Sequence, residues 1–153
     1  MRYEKYRKVL LDCRPEGIGF ANEAVLYFCE FFDRFAGFFT VYPEVVLILR
    51  GEGQDQVRIP VKHKEDIARE KEFCSDDEVM GRKEGEVMII PYTPSDDYTK
   101  QLRKTVSSPL LVSGRCSAAV EDVRANGCGL YYNDFYEFEG GLSYLLGKDS
   151  IFK

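Results

Sequence analysis

Two stretches of the chain are apolar without alternation: Val45-Val46-Leu47-Ile48-Leu49, between Pro43 and Gly51, and Val87-Met88-Ile89-Ile90, closed by Pro91. A strand with one wet face alternates apolar and polar residues. An unbroken apolar run of this length between breakers therefore belongs to a strand covered on both faces. Val9-Leu10-Leu11-Asp12-Cys13 makes an earlier strand, Leu110-Leu111-Val112 a later one and Leu130-Tyr131-Tyr132 a last short one, with a weak strand around Asp66 to Glu70. Helical patterns lie between these runs, and strands alternating with helices mean βαβ units. The expected fold is α/β, a single Rossmann-like, doubly wound and mostly parallel sheet. The order of strands is not legible. The 153 residues carry no repeat, low-complexity tract or Gly/Ser linker, so residues 1–153 are expected to form a single domain.

The helices announce themselves by caps and stripes. Asn22 is placed to cap a long helix reaching about Thr40, along which Val25, Phe28, Phe32, Phe35 and Phe39 recur at helical spacing. Tyr27, Phe31 and Phe38 fall off that stripe, so the helix is either part of an over-filled core or covered by a partner on its second face. Ser75, followed by Asp76, Asp77 and Glu78, opens a short helix, and Tyr98 to Val106 forms another. Ala118 to Ala125 ends at Asn126-Gly127, and Asp134 with Glu137 caps a helix to about Leu146.

Charge and cysteine content narrow the function classes. A formal net charge of -5 lacks the excess of Lys and Arg that displaces counterions from phosphate backbones, so no nucleic-acid partner is expected. Five cysteines without a Cys-x-x-Cys pair, and the single His63, offer no clustered zinc ligands; they read as reduced core residues of a cytoplasmic protein. The charged start, Met1 to Lys8, lacks the form of a secretory signal, and no apolar run approaches a transmembrane length.

The C-terminal third carries a long run of recognisable residues: Ser108-Pro109-Leu110-Leu111-Val112-Ser113-Gly114-Arg115-Cys116, then Asn126-Gly127-Cys128-Gly129-Leu130-Tyr131-Tyr132, then Asp134-Phe135-Tyr136-Glu137-Phe138-Glu139. It resembles the end of family 4 retaining glycosyltransferases, with their "P-V-L-V-x-G-R-C" strand, "S-N-G-G-L-Y-Y" turn and helix beginning "D-Y-x-E-F". Upstream, Phe73-Cys74-Ser75-Asp76-Asp77-Glu78 resembles the family's "G-F-V-S-D-E-E" segment before its base-binding region. The resemblance implies half of a GT-B fold, the C-terminal half that holds a nucleotide-diphosphate sugar. It implies a UDP- or GDP-sugar as substrate, no separate cofactor, and an acceptor held by an N-terminal glycosyltransferase domain or another chain. Transfer by this chain alone is not expected.

The same resemblance assigns substrate-binding residues and no catalytic ones. Arg14 matches the cation after the family's first strand, with Gly17 in the same loop, while the family's Lys falls on Ile18 or Gly19. A retaining transfer needs such cations because charge develops on the departing diphosphate. Arg14 read as an ordinary loop residue would instead pair with Glu16. Gly53, in Gly51-Glu52-Gly53, stands where the family has a Gly-rich loop near the donor, and a plain turn explains it equally. Phe73 is carried over from the base-binding segment. Asp96 or Asp97 substitutes for the first glutamate of the family's Glu-x7-Glu pair, or simply caps the helix behind it. The second glutamate has no counterpart, because no Asp or Glu occurs between Asp97 and Glu121.

Overall fold

The computed structural model describes residues 8–35, 44–50, 57–63, 70–73, 75–79, 86–106 and 108–146. Strand β1 (Lys8–Cys13) leads through a 3-10 turn at Pro15–Gly17 into helix α1 (Ile18–Phe35). Then come β2 (Glu44–Leu49), β3 (Glu70–Phe73), the one-turn helix α2 (Asp76–Val79), β4 (Glu86–Ile90), α3 (Tyr98–Thr105), β5 (Leu110–Ser113), α4 (Ser117–Asn126), β6 (Gly129–Tyr132) and α5 (Phe135–Leu146). All six described strands lie in one sheet in the order β3-β2-β1-β4-β5-β6, and every pairing is parallel. This is the doubly wound, Rossmann-like arrangement, with its strand order reversing between β1 and β4.

The two covered faces follow from the period of two along each strand. Val9, Leu11, Val45, Leu47, Val87, Ile89 and Leu111 point to one side and bury Ala24, Phe28 and Phe31 of α1 with Phe138, Leu142 and Leu145 of α5. Their neighbours Leu10, Val46, Ile48, Met88, Ile90 and Val112 point the other way and bury Tyr98 and Leu102 of α3 with Ala119 and Val123 of α4. Each fully buried Phe of α1 and α5 contributes about 1.5–3 kcal/mol by leaving water. Strand β6 lies flush on β5 because Gly129 has no Cβ; one added there would stand 2.0 Å from the Leu110 carbonyl oxygen.

The aromatic excess of α1 is core. Tyr27 packs its ring against Phe138 (5.5 Å), Phe135 (5.7 Å) and Tyr132 (6.2 Å), and Phe31 is fully buried beside Phe28. Tyr27, off the main stripe of α1, is thus covered by α5 and the end of β6. The expected stripe residues Phe35 and Phe39, and off-stripe Phe38, fall outside the described side chains.

Asn22 is not a helix cap. The 3-10 turn starts the helix four residues earlier, and the Asn22 side chain instead accepts the backbone N–H of Arg58 at 2.8 Å. Strand β3 is described at Glu70–Phe73, and the rest of the weak pattern, 66–69, lies outside the described residues. Three other caps stand as expected. Gly127 takes the left-handed conformation (φ 58°) after α4. Asp134 accepts the Glu137 N–H at 2.8 Å, and Ser75 and Glu78 cap each other's backbone. Among the described residues no helix is long and apolar enough to cross a membrane.

Candidate functional site

The sheet reverses direction of winding between β1 and β4: the chain leaving β1 goes to α1 on one face, and the chain leaving β4 goes to α3 on the other. The C-terminal edge of the sheet at such a reversal is where doubly wound folds have the crevice that takes ligands. The residues from Arg14 to Gly17 lie on one side of this point and those from Pro91 to Asp97 on the other, and the two loops touch where Tyr92 rests on Gly17.

A buried polar cluster forms the floor. Asp12, fully enclosed at the end of β1, is salt-bridged to Nη1 of Arg50, which follows β2. Tyr98, the first residue of α3, donates its hydroxyl to the other Asp12 oxygen at 2.9 Å. Arg50 closes the ring by donating Nη2 to the Tyr98 oxygen at 3.1 Å. Burial raises the Asp12 carboxyl above its ordinary value, against the pull of Arg50, the Tyr98 hydroxyl and Arg14. Burial works against the charge on Arg50, but the Asp12 carboxylate and the Tyr98 oxygen raise its pKa further. Burial and Asp12 together push the Tyr98 phenol well above its usual range, so it remains a hydrogen-bond donor at neutral pH. Three elements are thereby tied at their ends by charge-assisted bonds.

Arg14 lies on this floor. Its guanidinium carbon stands 5.3 Å from the centre of the Tyr98 ring, and its Nη2 reaches Glu16 at 3.5 Å. The side chain is 8 % exposed, whereas Glu16 is half exposed. The pairing with Glu16 is therefore real, but Arg14 is not the exposed loop residue that this pairing alone would make it.

Gly17 is a packing glycine. A Cβ there would stand 2.3 Å from Cγ and 2.4 Å from Cβ of Tyr92, so the ring rests directly on the backbone ahead of α1. Tyr92 stacks in turn with Phe20 (6.1 Å between centres, 13° between planes), and Arg115 lies over Phe20 at 5.0 Å while gripping Glu23 with both terminal nitrogens. Next to this wall, a Cβ placed on Gly19 would meet nothing within 4 Å. The first turn of α1 carries the positive end of the helix dipole to the same mouth.

Asp96 and Asp97 are exposed on the opposite lip. Asp97 is the N-cap residue of α3, and its side chain accepts from Ser95 Oγ (2.9 Å) and Gln101 Nε2 (2.8 Å), not from the helix N–H groups. These two hydrogen bonds lower its pKa. It occupies the cap position without supplying the side-chain cap expected of it. Phe73 closes β3 opposite Leu49, at the same edge of the sheet; Gly53 lies outside the described residues.

The sequence missed Asp12, Arg50, Tyr98 and Tyr92. The one signal for them was an aspartate inside an otherwise apolar strand, since a carboxylate there must find a partner. The floor also limits what the crevice can hold. Asp12 is enclosed beyond the reach of a ligand. Cys13 beside it is a buried packing group whose thiol is pushed far up by burial. Among the described residues no group of three or more His, Cys, Asp or Glu is arranged to hold a metal ion.

No protein-family model matches the chain. No curated protein matches it either.

Proposed function

We propose that this chain binds a nucleotide-diphosphate sugar in the switch-point crevice, as the donor half of a GT-B glycosyltransferase whose acceptor sits on another domain or chain. The observation that carries the reading is Arg14, directly after the first strand and held against the Tyr98 ring at the C-terminal edge of the sheet. That is where the glycosyltransferase resemblance calls for a cation on the diphosphate. The remaining parts serve the same chemistry. A guanidinium and the N-terminal turn of α1 oppose the charge of a diphosphate, most strongly as the sugar departs and that charge grows. The aromatic pair Tyr92 and Phe20 offers an apolar flank for a ring. With Ile18 or Gly19 where the second cation belongs, one donor is lost, which commonly costs about 10²-fold or more in rate. A UDP- or GDP-sugar as ligand and the cytoplasm as workplace belong to the same proposal.

Calorimetry with UDP and GDP tests it. Micromolar binding that disappears in Arg14→Ala is the expected result; silence at millimolar nucleotide removes the reading.

A second reading, a non-catalytic relative serving as a binding or assembly module, is favoured by α3. Where the resemblance wants a second carboxylate, α3 carries Lys100, Arg103 and Lys104, and Arg103 is engaged by Asp122 of α4 at 2.9 and 3.1 Å. Nucleotide binding without sugar transfer or donor hydrolysis, in the presence of a supplied acceptor half, would select it.

A further inference from the structure

We infer that Tyr98 is a positioning residue, whose ring face sets the place and plane of the Arg14 guanidinium at the crevice mouth. The inference rests on the proposed donor site for its purpose, but its geometry stands independently. The Tyr98 side chain is almost wholly buried, and its hydroxyl is fixed from two directions, donating to Asp12 at 2.9 Å and accepting from Arg50 at 3.1 Å. Those two partners are themselves locked together across the ends of β1 and β2. A phenol buried in the core and bonded twice at its oxygen is held in place. The guanidinium lying 5.3 Å above its centre therefore inherits a fixed seat.

Glu16 alone would not supply that seat. Its carboxylate is half exposed and the contact is long, at 3.5 Å, so water competes for it. A guanidinium held in this way suits an anionic group of the phosphate class. Prepositioning matters because an arginine already held in place loses less rotamer freedom when an anion arrives.

The test joins NMR of the Arg14 side chain to nucleotide titration. In the wild-type chain the Arg14 Hδ signals are expected upfield, displaced by the Tyr98 ring. The displacement should shrink in Tyr98→Phe, which keeps the ring but releases its hydroxyl from Asp12 and Arg50, and vanish in Tyr98→Leu, where the signals return to ordinary arginine positions. UDP or GDP affinity should fall about five- to thirtyfold in Tyr98→Leu. Combining it with Arg14→Ala should add nothing further, because both variants remove the same contact. Undisplaced Arg14 signals in the wild type would overturn the inference outright, even if Tyr98→Leu failed to fold. So would a folded Tyr98→Leu that binds nucleotide like the wild type while Arg14→Ala does not. A wild-type chain that binds neither nucleotide but shows the displaced signals would sink the donor site and leave the role of Tyr98 standing.

Discussion

Asp12 and Gly17 stand five positions apart and depend on opposite properties, one on a charge being answered and the other on a side chain being absent. Truncating Asp12 to Ala leaves the Arg50 guanidinium, only 11 % exposed, without its carboxylate, and removing one partner of a buried pair costs about 3–5 kcal/mol. Urea denaturation of Asp12→Ala should show a loss of that size. Tyr98→Phe, which forgoes hydrogen bonds but keeps the charges paired, should lose only about 1 kcal/mol. At Gly17 an added methyl collides with the root of the Tyr92 side chain, which cannot swing aside as a flexible tip would. Gly17→Ala should cost about 1–3 kcal/mol, and Tyr92→Ala in the same chain should recover part of it. Gly19→Ala is the control: its Cβ meets open space within the first turn of a helix, so a gain of about 0.4–1 kcal/mol in the same measurement is expected.

Among the elements, those with an apolar run or a true cap were readable, and those whose sequence is charged or whose cap residue serves another purpose were not. Strands β2 and β4 combine an unbroken apolar run with a breaker, and α4 and α5 carry a glycine stop and a capping box, so they were evident from sequence. Strand β3 reads Glu-Lys-Glu-Phe, and its charges hide it from any hydrophobic pattern; only pairing with β2 identifies it. The start of α1 was misplaced because Asn22 has the chemistry of a cap but uses it to hold Arg58. The segment ending at His63 is tied down again by Asp33 of α1, which meets His63 Nε2 at 2.9 Å and Lys62 at 3.3 Å. Although partial burial opposes it, hydrogen bonds to His63 and Lys62 lower the Asp33 pKa below its ordinary 3.8. A carboxyl whose folded pKa is depressed stabilises above its unfolded value, and that contribution disappears as pH falls through the lower, folded one. The acid limb of a melting-temperature profile should therefore be shallower in Asp33→Asn than in the wild type below about pH 4.

On the scale of the whole molecule, parallel pairing and winding to both faces could be inferred from alternating runs and helices, but not the order of strands. Order depends on which strands meet across long sequence distances, and local pattern does not encode that. The same holds for the site: Arg14 and Asp97 were visible as loop residues, whereas the enclosed ring of Asp12, Arg50 and Tyr98 exists only once three distant elements converge. If that convergence serves an anion, binding should weaken with ionic strength, and UDP or GDP at a hundredfold excess over Kd should stabilise the fold by about 2.7 kcal/mol. A thermal-shift series in rising salt, with Arg14→Ala alongside, reads both effects.

The pairing of Lys8 with Glu86 sets when this protein can become itself. A nascent chain holds β1 long before β4 exists, and the seam between them must wait for the largest loop in the sheet to close. Contacts so distant in sequence are made slowly. The crevice lies on that same seam, so it is completed only when the two halves of the sheet join. Substitutions that delay this joining will delay the appearance of ligand binding by the same interval.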